Sequence, residues 1–71
     1  MIAAQWIEEF CDAIGMPAPT EEETEAILRL AAVAAHASER TAAPVACWIA
    51  GASGKPLAEA QAAAEALASG G

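Results

Sequence analysis

The chain has 71 residues and a mass of 7.1 kDa, which admits one small domain, residues 1–71. Forty residues are apolar (56%), but 22 of them are alanine, so only 18 side chains larger than a methyl group are available to build a core. Three Lys+Arg against ten Asp+Glu give a net charge of −7, which repels nucleic-acid backbones and anionic lipid headgroups, so neither nucleic acid nor a membrane surface is expected as a partner.

Alanine at this density, with β-branched residues scattered singly and no period-2 alternation, predicts an all-α chain. The first helix is expected over about 3–14. At 100° per residue, Ile2, Ala3, Trp6, Ile7, Phe10, Cys11 and Ile14 fall on one arc, and Gln5, Glu8, Glu9 and Asp12 fall opposite. Gly15 suits a left-handed C-terminal cap, and Pro17 and Pro19 stop the helix from resuming.

Thr20-Glu21-Glu22-Glu23 has the form of a capping box, with three carboxylates at the positive end of the helix dipole. A second helix is expected from there to about residue 39. Its inner arc holds Ile27, Leu30, Ala31, Ala34, Ala35 and Ser38, and its outer arc holds Glu25, Arg29, Ala32, His36, Glu39 and Arg40. Pro44 suits a first helical position, which predicts a third helix over about 44–52. No charge lies between Arg40 and Lys55, and a helix apolar on all sides is buried or covered by a partner. Pro56 then restarts the chain in a fourth helix over about 56–68, with Leu57, Ala60, Ala64, Leu67 and Ala68 inward. Ser69-Gly70-Gly71 is expected to fray. Together these elements predict four short helices packed as two antiparallel helical hairpins, with the third helix most buried and both tryptophans core-facing.

The run His36-Ala-Ser-Glu-Arg40-Thr-Ala-Ala-Pro44-Val-Ala-Cys-Trp-Ile-Ala-Gly51 is preceded by Trp6-Ile7 with Cys11 and followed by an alanine-rich last helix. In this order of features the chain resembles an uncharacterised small actinobacterial helical domain that also occurs fused to molybdopterin-guanylyltransferase-type nucleotidyltransferases. The resemblance implies a link to molybdenum-cofactor biology and no known activity. The catalytic nucleotidyltransferase half has no counterpart in these residues.

Each candidate site has a bland counterpart. His36 and Arg40 lie one helical turn apart where the second helix gives way to the third, and with Thr41 they form a candidate site for an anion or a partner's carboxylate. Cations at a helix C-terminus also stabilise the helix dipole by about 0.3–1 kcal/mol, and that capping role is the stronger reading. Gly51-Ala-Ser-Gly54-Lys55-Pro56 lacks the hydroxyl and the preceding strand of a phosphate loop and reads as a turn. Glu21, Glu22 and Glu23 read as a solvated cap. Cys11 reads as a small buried hydrophobe, and Cys11, Cys47 and the single His36 supply neither metal-ligand spacing nor a nucleophile–base pair adjacent in sequence. No metal, no cofactor and no enzymatic activity are expected.

The third helix has Val45, Trp48, Ile49 and Ala52 on one side and Cys47, Ala50 and Gly51 on the other. One side can serve the core while the other meets a partner, with Cys47, Trp48 and Gly51 as candidate interface residues and a homodimer or hetero-complex as the expected assembly. The longest apolar run, Ala42 to Ala52, is 11 residues, short of the roughly 20 that span a bilayer. Without a secretory signal pattern or a disulfide framework, a cytoplasmic location follows. The expected function is a non-catalytic interaction or regulatory module; the alternative is a small anion- or ligand-binding domain at the His36/Arg40 junction.

Overall fold

In a computed structural model that describes residues 1–70, the chain forms four helices: α1 (Ala3–Ile14), α2 (Glu21–Ala37), α3 (Ala42–Ser53) and α4 (Leu57–Ala68). No strand occurs among the described residues, so the all-α reading holds. The expected fraying of the C-terminus falls partly on Gly71, outside the described residues. Ser69 still donates its N–H to the Glu65 carbonyl, which closes α4.

Punctuation decides where the helices begin and end. α1 stops at Gly15, whose φ of +74° is left-handed. The Gly15 N–H donates to the Asp12 carbonyl and the Met16 N–H to the Cys11 carbonyl, which together form a Schellman motif. α2 opens on a complete capping box: Thr20 Oγ1 accepts from the Glu23 N–H at 3.1 Å, and Glu23 Oε1 accepts from the Thr20 N–H at 2.8 Å. Glu21, Glu22 and Glu23 are exposed in that first turn. α3 begins two residues earlier than Pro44. The Ala42 and Ala43 N–H groups donate to the carbonyls of Glu39 and Arg40, and that turn carries the chain into the helix. A proline at the third helical position is tolerated because its missing N–H belongs to the first turn, where no intrahelical acceptor exists. Gly54, with φ +70°, ends α3, and Pro56 caps α4.

The hub of the fold is α2. Its extended helix–helix interfaces are with α3 and with α4, and Leu30, 4% exposed, is the most deeply buried apolar residue. The sequence pattern placed α3 at the centre, and this is corrected: α3 buries only Ala50 and packs as one arm of a hairpin with α2. The Cys47/Ala50 side of α3 faces α2, and the Val45/Trp48/Ile49 side faces outward. The reason is size. α2 presents the small stripe Ala31, Ala34 and Ala35, half-buried, which admits the small side of α3 at close approach and leaves the bulky side outside.

A second correction concerns α1, which shares no extended interface with the other helices. Its periodicity is correctly read, yet Ile2, Trp6, Phe10 and Ile14 are exposed, Ile7 is half-buried, and only Cys11 is buried. Leu67 on α4, expected inward, is also exposed. The chain is correspondingly open. Its radius of gyration is 12.9 Å, against about 11 Å for a compact domain of this length.

Candidate functional site

The amphipathic arc of α1 places large apolar side chains four residues apart, at Ile2, Trp6, Phe10 and Ile14. Trp6 and Phe10 stack with ring centroids 5.2 Å apart and planes inclined by 16°. The Schellman turn at Gly15 then sends Met16-Pro17-Ala18-Pro19 across towards the start of α2. Between this segment, α1, α3 and the start of α4 lies a groove of about 710 Å³. Phe10 and Ile14 line one side, Ile27 and Leu57 lie within it, and Cys47 and Trp48 line the α3 side. The charged side chains of its lining are Glu23 and Lys55, one of each sign. Trp6 is 57% exposed and Trp48 73%, so the expectation that both face the core is overturned. A helical wheel tells which side chains share a face; it does not tell whether another helix covers that face.

Of the residues expected at an interface, Trp48 and Gly51 are exposed on the groove, and Cys47 is half-buried. The Cys47 thiol donates to the Ile27 carbonyl at 3.8 Å, and burial pushes its pKa up, because a thiolate would lose its hydration there. Cys11 is buried, as its position on the α1 arc predicts, and both cysteines are free. They line the same groove. Sequence reasoning missed Met16, Ile27 and Leu57 as parts of this surface; the available signal was Met16, an apolar side chain outside any helix and beside two prolines.

His36, Arg40 and Thr41 lie elsewhere. His36 sits in the last turn of α2, and all three are exposed. Among the described residues the ion pair is Lys55–Glu59, at 3.4 Å, so neither His36 nor Arg40 is held by a carboxylate. Thr41 occupies the residue before α3 with helical backbone angles and makes no side-chain cap. The first-turn donors an anion would need are already engaged: Ala42 and Ala43 bond to turn carbonyls, and Pro44 has no N–H.

The remaining surface features have local explanations. The Gly51–Pro56 segment is a turn in which Ser53 Oγ donates to the Ala50 carbonyl and accepts from the Lys55 N–H. A depression at Thr20, Glu21, Glu22 and Glu25 belongs to the α2 cap. A smaller cleft of about 270 Å³ between α2 and α4 holds Arg29, Gln61 and Glu65, where the Gln61 amide donates to Glu65 and its carbonyl oxygen is left without a partner. None of these depressions includes His36, Arg40 or Thr41. Among the described residues no cluster of three or more His, Cys, Asp or Glu could hold a metal ion, and no helix is long and apolar enough to cross a membrane.

No curated protein and no solved structure matches the chain. A family model matches residues 1–70, which carry the Trp6/Phe10 arc, the α2 capping box, the small stripe and the glycine-capped end of α3. The chain belongs to the family described as Domain of unknown function (DUF6457).

Proposed function

We propose that this domain is a non-catalytic interaction or regulatory module whose working surface is the apolar face formed by α1, the Met16–Pro19 segment and α3. The observation that carries the reading is the exposure of Phe10, Ile14, Met16 and Trp48 around one groove, with exposed Trp6 stacked on Phe10 beside it. Contiguous apolar patches beyond a few hundred Å² are uncommon on monomeric proteins, and tryptophan is over-represented at binding hot spots. A catalytic reading finds less support in the geometry: burial pushes the Cys47 thiol up, away from the thiolate, and His36 is exposed in the last turn of α2, outside the groove.

The resemblance to domains fused to molybdopterin-guanylyltransferase-type enzymes supports a setting in molybdenum-cofactor biosynthesis or molybdoenzyme assembly as part of this reading. Fusion supplies about millimolar effective concentration, so a free copy of the domain must make up the difference in affinity. Affinity capture from a lysate, with wild type and Trp48→Glu in parallel, tests this. A molybdenum-cofactor protein enriched by wild type and lost with Trp48→Glu is the expected result. Recovery of no such protein, or equal recovery by both baits, overturns the reading.

A further inference from the structure

We propose that the occupant of the groove is a second copy of this chain, docked about a two-fold axis with the Trp6/Phe10 edge of each α1 seated against the other copy's groove. The inference rests on the reading of this face as a docking surface and names what covers it.

Three observations support a second copy as the occupant in the isolated chain, where a molybdenum-cofactor protein would compete with it for the same face. The first is area. A folded monomer of 7.1 kDa exposes about 4,100 Å² by the usual scaling, whereas this chain exposes 5437 Å². The surplus of roughly 1,300 Å² exceeds the roughly 800 Å² that each partner buries in a standard-sized interface. The open radius of gyration reports the same deficit of packing independently.

The second is shape. The face carries both a projecting element, the stacked Trp6–Phe10 pair, and a concave one, the 710 Å³ groove. An isologous contact requires a patch that complements itself, and a knob beside a hole on one face meets that requirement. Ile2, Trp6, Phe10 and Ile14 form an i±4n ridge, and two such ridges interdigitate at a crossing angle near about −50°. A Trp or Phe side chain buries about 150–250 Å², so Trp6, Phe10 and Trp48 can supply much of the required area.

The third is charge. Two chains of −7 repel unless their carboxylates stay apart, and on α1 Glu8 and Asp12 lie on the side away from the ridge, with Glu9 at its flank, where it can stay in solvent at the edge of the contact. The groove's two charged side chains, Glu23 and Lys55, are opposite in sign and each is engaged within its own chain, Glu23 by the Thr20 N–H and Lys55 by Glu59, so the groove itself adds no net charge to a contact between copies. A basic partner helix would instead be matched by a rim of several carboxylates.

Sedimentation equilibrium on the full chain, from about 1 μM to about 1 mM, tests this, with tryptophan emission followed over the same range. Mass is expected to rise from 7.1 kDa towards twice that value, with a concentration-dependent blue shift of emission that persists in both Trp6→Phe and Trp48→Phe. Trp6→Glu is expected to raise the dimer midpoint roughly thirty-fold or more, as loss of a hot-spot residue does, with helical circular dichroism retained. Leu67→Glu, at a still more exposed position outside the groove, leaves the midpoint unchanged. If Trp6→Glu loses helicity, the wild-type mass and emission decide the matter by themselves. A wild type that stays at one chain mass with constant emission overturns the dimer. If Trp48→Glu still abolishes lysate capture in that case, the docking reading stands without it.

Discussion

Cys47 shows how one side chain is tuned by its seat. Its thiol donates to the Ile27 carbonyl and is partly desolvated against α2, so it holds its proton above the ordinary thiol range of about 8 to 9. Alkylation of Cys47 by iodoacetamide at neutral pH is therefore expected to be slower in the folded chain than in urea, measured by mass spectrometry of the modified peptide. The same shift sets a pH dependence. The folded state binds this proton more tightly than the unfolded chain does. Its stabilising contribution is complete below the ordinary thiol range and is lost as pH rises through that range towards the folded pKa. Urea midpoints of wild type should thus fall between pH 7 and about 10 by more than those of Cys47→Ala. At this scale the sequence is most readable where the chemistry is local. Thr20 and Glu23 satisfy each other's backbone within three residues, and Cys11 is buried where its arc places it. Trp6 and Trp48 were misread because their burial depends on which helix lies opposite, information no short stretch contains.

Among the elements, three glycines look alike in sequence and differ in structure. Gly15 and Gly54 hold left-handed angles with open space where a Cβ would project, so an alanine there meets backbone strain and no clash. Gly51 lies inside α3 with helical geometry and equally open space. Gly15→Ala should therefore destabilise by about 1–2 kcal/mol, while Gly51→Ala should stabilise by about 0.5–1 kcal/mol through a less flexible unfolded chain. Thermal unfolding of the two variants beside wild type checks the opposite signs. The helix ends were readable from such punctuation to within two residues, and α1 was bounded correctly at both ends. The centre of the fold was not. α3 has the most apolar sequence, but α2 shares an extended interface with both α3 and α4, and lying between two neighbours is what makes it the hub.

For the whole molecule, α2, α3 and α4 form one packed body through two interfaces on α2, and α1 is attached through Cys11, Ile7 and a proline-bearing connection. Protection against hydrogen exchange should follow that division. An amide exchanges when its element opens, and an element with few buried apolar contacts opens at less than the cost of global unfolding. In dilute solution the α1 amides are expected to exchange in an earlier tier than those around Leu30, and exchange mass spectrometry at increasing protein concentration tests whether the tiers merge. Uniform protection across α1 and α2 at low concentration would contradict the division. The same feature sets α1 apart as a candidate foldon, one that the proposed contact with a second copy would raise towards the stability of the core.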